Sequence, residues 1–291
     1  MTGTDLMIVG HLAHDEVILP GGETRRKTGG AVYFGAFAAH HSGCRCLVAT
    51  KLHGDDEGLL RPFRDAGIPV RWAPGASTTG IRNIYSTADQ DRRRCVPLAA
   101  GEPFTAADLP AEPARVIHVG ALIAGQVPDP LLEALARRAE LGLDAQGVLR
   151  REEDGELRLR PWADARRYLP LVTYFKADAA EAEVLTGETD LDRAARALAG
   201  LGPREVVLTH ASAVRVLVGG ELHTAALSPR SLVGRTGRGD SCIAAYLAAR
   251  LRGRDPAWAT RYAAALTSLK LERDGPFCGT REQVLARMGD Q

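Results

Sequence analysis

The sequence predicts an α/β protein: a three-layer α/β/α sandwich with a mainly parallel central sheet and a small β-sheet lid. Two observations carry this. Short apolar runs alternate with amphipathic stretches through most of the chain, the pattern of strands buried on both faces by flanking helices. Two segments, 16–30 and 77–100, break that rhythm; both read as strand-turn-strand with no helix beside them.

The elements follow in order. Strands are expected at 5–10 (DLMIVG), 44–50 (CRCLVAT), 114–122 (ARVIHVGAL), 141–147 (LGLDAQG), 173–178 (TYFKAD) and 204–210 (REVVLTH). Helices are expected between them at 31–43, 56–67, 129–140, 179–187 and 190–200. The last third closes with helices at 240–252, 256–272 and 280–288. No linker divides the chain, so the expectation is one domain over 1–291, with a lid from about 12–30 and 77–100 inserted in it. Ligands of open α/β sheets bind outside the carboxyl ends of the strands, so a small sheet standing there covers a site.

Composition narrows the function. A net charge of +1 over 291 residues gives no electrostatic case for nucleic acid or an anionic membrane as partner. No apolar run approaches the ~18 residues of a membrane span, and MTGTDLMIVGHLAHDEV lacks the basic and apolar regions of a signal peptide. Five cysteines at spacings that fit no disulfide framework point to the cytoplasm. Cys44-x-Cys46 reads as alternate residues on one strand face rather than as half of a metal site.

The chemistry gathers at GRTGRGDSCIAAYLAARL (234–251). Ile243, Leu247 and Leu251 recur every four residues, which marks a helix. Gly237-Arg238-Gly239-Asp240 stands where that helix begins. Free first-turn N–H groups, the positive end of the dipole and flexible glycines make a cradle for an anion such as phosphate. Asp240 has two readings: a helix N-cap, or a general base taking a proton from a hydroxyl that attacks a phosphate. Asp15, just past the first strand, reads as a turn residue or a ligand-binding carboxylate. Gly29-Gly30 opens a second helix, so a sugar site facing a phosphate site is the combined expectation. Lys176 ends a strand and reads either as a phosphate contact or as a solvated surface residue. Arg92-Arg93-Arg94 reads as a solvated turn, His40-His41 as surface or capping residues, and His210 as a residue that could stack on a base.

Gly10…Asp15, Gly29-Gly30, LHGDDEG, KADAAEAEVLTG and TGRGDS together resemble the ribokinase-like carbohydrate kinases over almost the whole chain. The resemblance implies that Asp240 is the catalytic base and that the backbone at Gly237, Arg238 and Gly239 is the anion hole. It implies ATP as co-substrate with Mg²⁺; the family's Asn-x-x-Glu motif, which helps place the metal and the phosphates, falls on Asp178-Ala-Ala-Glu181. Glu181 is thus the expected metal residue, and Lys176, Asp178, Thr209 and His210 the expected nucleotide contacts. Asp15, Gly29 and Gly30 are expected to grip sugar hydroxyls.

VGHLAHDEVI, KTGGAVYFGAF, STTGIRNIYS, LGLDAQGVLRREEDGELRLRPW and YFKADAAEAE resemble more closely the myo-inositol kinase branch, with Asp144-Ala-Gln146 and Phe34 at its characteristic positions. That implies a cyclic polyol held also by Phe34, Asn83, Asp144 and Gln146. The chain departs from the family at Gly234 (commonly Asp), Arg238 (commonly small), Ala211 (commonly Gly) and Asp178 (Asn). The alternatives are a nucleoside or ribose kinase, with Tyr33 and Phe34 as a base slot, and a non-catalytic sugar-binding regulator. Pairing of two lids is the expected route to a homodimer.

Overall fold

Nine strands form the central sheet of the computed structural model, which describes residues 3–85 and 94–289. In spatial order they are Glu221–Ala226, Ala213–Val218, Glu205–Thr209, Tyr174–Asp178, Glu140–Asp144, Ala114–Val119, Thr4–Val9, Cys46–Leu52 and Val70–Pro74. The seven from Glu205–Thr209 to Val70–Pro74 run parallel. The apolar runs explain why: CLVATKL and EVVLT are buried at every residue, as strands with helices on both faces must be. Alternation then divides each strand between two cores. Leu6 and Ile8 face the helices Ala31–His41, Arg238–Leu251 and Pro256–Leu271. Met7 and Val9 face the side covered by Asp129–Ala136 and Leu191–Ala199. Small residues let the first group of helices approach closely; a Cβ on Gly35 would stand 3.6 Å from that of Ala244.

A second, four-stranded sheet stands apart, ordered Thr24–Gly29, Ala13–Ile18, Gly80–Ile84 and Arg94–Ala99. Its outer pairs are antiparallel and its central pair parallel. Its strands fall in the two segments that broke the helical rhythm. The polar turn between them, including Arg92 and Arg93, lies outside the described residues; Arg94 pairs with Glu156 at 2.8 Å. No helix among the described residues is long and apolar enough to cross a membrane.

Several boundaries differ from the expected ones. The expected 129–140 helix ends at Ala136, and Glu140 already opens a strand. That strand stops at Asp144, and Gln146–Leu149 turns helical, so Asp144 and Gln146 belong to different elements. The expected 56–67 helix is a 3₁₀ segment, Gly54–Leu60, followed by a short α-helix, Arg61–Asp65. Pro62 explains the break: without an N–H it starts a helix more readily than it continues one.

Five strands were not expected, and four of them form two hairpins. Arg150–Glu153 pairs with Glu156–Leu159 across Asp154 and Gly155, at φ of 50° and 74°. Ala213–Val218 pairs with Glu221–Ala226 across Gly219 and Gly220, at φ of 57° and 87°. Asp-Gly and Gly-Gly suit two-residue turns because both central residues need positive φ. The fifth, Val70–Pro74, extends the sheet beyond Cys46–Leu52.

Candidate active site

Parallel strands bring their carboxyl ends to one side of the sheet, and the N-termini of Ala31–His41 and Arg238–Leu251 point there. A cleft of about 230 Å³ opens between these ends and the four-stranded sheet. Asp15, Gly30, Phe34, Asn83, Gln146, Lys176, Asp178, Thr209 and the 237–240 turn all line it.

On the side of the small sheet, Asp15 is held by the Ile81 amide, which donates to its Oδ1 at 3.2 Å. Gly29 makes room for that carboxylate, since a Cβ there would lie 2.1 Å from Asp15 Oδ2. Gly29 therefore supports Asp15 and does not itself reach the cleft wall. Gly30 caps the Ala31–His41 helix at φ 105° and runs against the His11 carbonyl, where a Cβ would come within 2.3 Å. Only glycine satisfies both conditions. The Asn83 carboxamide oxygen accepts from Cys95 Sγ at 3.4 Å.

At the other side, the helix start resolves one of the open readings. The N-cap is Gly237, in the left-handed region at φ 78°, and Asp240 is the third residue of the first turn. Asp240 is not the cap; its carboxylate stands at the cleft wall. The anion-hole expectation changes in one detail: the Arg238 N–H donates to the Arg235 carbonyl at 3.2 Å. The free amides of the first turn are those of Gly239 and Asp240, while Arg238 lines the cleft beside them.

Lys176 is not a surface residue: it is 5% exposed. Its Nζ donates to Asp144 Oδ1 at 3.1 Å and to Glu181 Oε2 at 3.4 Å. Burial alone would lower its pKa, but Asp144, Glu181, Asp178 and Asp240 outweigh burial and hold the ammonium above its usual range. Lys176 and Asp144 are register partners on neighbouring strands, so the sheet itself sets this pair. Gly239 leaves space for it: a Cβ there would be 3.0 Å from the Lys176 ammonium. Asp240 responds to the same field. Burial first, then Asp144, raises its pKa from 3.8 to about 6, against the opposing pull of Lys176, Lys270 and Arg150.

Besides Gly29, three expected residues stand back from the wall. Asp144 accepts from the Gln146 amide at 3.0 Å as well as from Lys176. Glu181 forms a reciprocal capping box with Asp178 at 2.7 and 2.9 Å, and burial pushes its pKa up. It holds Lys176 from behind, and no described bond turns it toward the cleft. His210 bonds the Ser212 hydroxyl at 3.0 Å and lies outside the wall. Sequence reasoning missed Ile81, Leu122, Arg150, Arg235 and Thr236, which also line the cleft. Arg235 and Thr236 lie within the quoted glycine-rich motif; Arg150 is placed by the unexpected Asp154-Gly155 hairpin.

This wall holds a carboxylate near neutral pKa, an anion cradle and four cations, with polar groups facing them from the small sheet. It can deprotonate a hydroxyl and neutralise a phosphoryl group beside it.

The model of the pfkB family carbohydrate kinases matches residues 4–278. A pyrophosphate-dependent kinase of the ribokinase family, solved with a pyrophosphate analogue and myo-inositol, is 34% identical, with a TM-score of 0.90 over 97% of this chain and 99% of that one. The cytidine kinase of Thermococcus kodakarensis is 26% identical over 264 residues, 86% of this chain and 90% of its own length. Arabidopsis thaliana ribokinase, solved with ribose and ATP, shares the fold at 19% identity, a TM-score of 0.77 and 99% coverage of both chains.

Proposed function

The chain belongs to the pfkB family of carbohydrate kinases, and from that premise we propose that it phosphorylates a hydroxyl of a cyclic polyol, myo-inositol first, with inorganic pyrophosphate as donor. That it is a phosphotransferase acting on a hydroxyl follows from the family, and the reading as a non-catalytic regulator falls.

ATP was the donor expected from the sequence. The observation that favours a smaller one is the set of cations: Arg150, Lys176, Arg235 and Arg238 line one cleft together with the anion cradle. A compact, highly charged donor with no base is bound by such charge alone. The His210 turn, where a base contact was expected, stands outside the cleft. The likeness to the pyrophosphate-dependent kinase, at 34% identity, supports the same donor and acceptor.

In the proposed reaction the polyol lies between Asp15, Asn83, Gln146 and Phe34. One hydroxyl oxygen attacks the terminal phosphorus of pyrophosphate as its proton passes to Asp240. The bond from that phosphorus to the bridging oxygen breaks, and orthophosphate leaves. The amides of Gly239 and Asp240 and the cations beside them oppose the charge that develops; one such donor is worth about 3 kcal/mol in comparable sites. The small sheet of Ala13–Ile18, Thr24–Gly29, Gly80–Ile84 and Arg94–Ala99 serves as the lid of a single domain and excludes water.

Mg²⁺ fits this wall modestly. Among the described residues no group of three His, Cys, Asp or Glu gathers as a metal cage. Mg²⁺ commonly takes one or two carboxylates plus donor phosphates, and Asp178, which uses Oδ1 on the Glu181 amide and lines the cleft, is the carboxylate that would hold it. When bound, the metal supplies positive charge to the donor oxygens. The free cysteines fit a reducing, cytoplasmic setting.

A nucleoside kinase is the second reading, carried by the edge-to-face pair of Tyr33 and Phe34 at 5.3 Å and by the likeness to cytidine kinase. Release of orthophosphate from pyrophosphate, or of ADP from ATP, across myo-inositol, ribose, fructose, adenosine and cytidine separates them. Turnover of myo-inositol with pyrophosphate is expected. Turnover only of a nucleoside with ATP overturns the proposal.

A further inference from the structure

One cation near the cleft takes no part in its wall. Lys270 lies in the last turn of the Pro256–Leu271 helix, where a lysine ordinarily reaches solvent, yet it is 2% exposed. No carboxylate pairs with it among the described salt bridges. Its Nζ instead donates to the Gly234 carbonyl at 2.6 Å and to the Thr236 carbonyl, and stands 5.2 Å from the centre of the Phe34 ring. Burial of an ammonium is costly, and here it draws the pKa down to about 8 against Asp274 and Asp240. A fold that accepts this cost at one place uses the charge there.

The two carbonyls belong to the loop that leads into Gly237. In a trans peptide the C=O of one residue and the N–H of the next point in opposite directions. Holding the Thr236 carbonyl toward Lys270 turns the Gly237 N–H the other way. Holding the Gly234 carbonyl does the same for the Arg235 N–H. Arg235, Thr236 and Gly237 all line the cleft, and Lys270 does not. The loop has little slack against the end of that helix: a Cβ on Gly234 would lie 2.2 Å from the Arg273 carbonyl.

We propose that Lys270 is a positioning residue, a tethered monovalent cation that gathers the Gly234 and Thr236 carbonyls and thereby aims the amides of the 235–237 loop at the donor phosphate. The inference rests on the reading of that cradle as the donor site. It assigns a role to a residue that touches neither substrate, and it makes the loop's geometry independent of any dissolved cation.

The test compares wild type with Lys270→Ala in a tetramethylammonium buffer, with and without added ammonium or methylammonium. The expected result is a loss of about tenfold or more in kcat/KM for pyrophosphate in Lys270→Ala, with the myo-inositol KM unchanged. Ammonium restores the variant, tetramethylammonium does not, and wild type responds to neither. A variant that keeps its donor kcat/KM overturns the proposal. So does one that loses donor and acceptor affinity alike with no recovery, which is the mark of a general packing role.

Should Lys270→Ala fail to fold, Lys270→Met and Lys270→Gln decide. Methionine keeps the bulk without donors and should behave as a loss; glutamine keeps an N–H donor and should retain part of the activity. Equal activity in Lys270→Met and wild type overturns the assignment. Calorimetry with pyrophosphate, and with ATP, keeps the two readings apart. Wild type that turns over no substrate refutes the proposed reaction, yet weaker binding of whichever donor it takes by Lys270→Met still supports the role of Lys270. Equal affinity there refutes it.

Discussion

Replacing Asp240 with asparagine should cut turnover by at least about a hundredfold and, at neutral pH, leave a more stable protein. The side chain keeps its size and its place in the first turn of the Arg238–Leu251 helix, and loses only its charge. The carboxyl titrates near 6 instead of 3.8 because burial and Asp144 oppose its ionised form. Its folded-state pKa is raised, so the unfolded chain releases this proton earlier as pH rises. The associated stability is present in full below about pH 4 and is lost as pH climbs through 6. At about 1.4 kcal/mol for each pH unit, ionised Asp240 costs the fold up to about 3 kcal/mol near neutrality, less where the open cleft screens it. Asp240→Asn removes that cost, and with it the base, so kcat should fall by about 10²–10⁴. The assay is orthophosphate release followed from pH 5 to 8, beside thermal melts over the same range. Wild-type kcat should fall on the acid side with a midpoint near 6, because only the carboxylate accepts the proton. Asp144→Asn should move that midpoint downward by removing a neighbouring negative charge. A variant with near-normal kcat, or one that melts well below wild type at pH 7.5, refutes the reasoning.

Two further substitutions probe the turn beside the site and the packing at the opposite end of the sheet. Gly237→Ala places a Cβ at φ 78° and 2.0 Å from Phe34 Cγ, so it should cost about 1–3 kcal/mol in chemical denaturation and weaken donor binding; unaltered stability would show that the ring does not seat on this turn. Arg250→Met strips the guanidinium, bonded at 2.7 Å, from the buried Glu205 carboxylate, leaving it the Tyr246 hydroxyl. That should cost about 3–5 kcal/mol, much of it recovered in the double variant with Glu205→Gln; equal costs in single and double variants would contradict it.

The parallel core was legible because burial on both faces writes itself into contiguous apolar runs such as CLVATKL. The start of the 238–251 helix was legible because its glycines precede a regular apolar stripe. The Arg150–Leu159 hairpin was not, since RREE carries no apolar residue and ELRL alternates over only four partly exposed residues; the Asp-Gly pair was the signal available. The N-cap reading of Asp240 stayed open because an aspartate ahead of a helix looks like a cap, whereas the left-handed Gly237 already turns the chain three residues earlier. The Lys176–Asp144 pair joins residues 32 apart and Lys270 meets Gly234 across 36. Both depend on strand register and helix packing, which no local pattern carries.

The Phe34 ring lies between two functions. It lines the cleft in which the acceptor is proposed to lie, a Gly237 Cβ would stand 2.0 Å from its Cγ, and the Lys270 ammonium rests 5.2 Å from its centre. The proposed acceptor pocket and donor cradle therefore share a single party wall. An engineer who trims Phe34 to admit a bulkier alcohol also removes the buttress of the turn that holds the phosphate. New acceptor scope in this scaffold has to be won by changes on the Asn83 and Gln146 side, or by compensating substitutions made together on both faces of that ring.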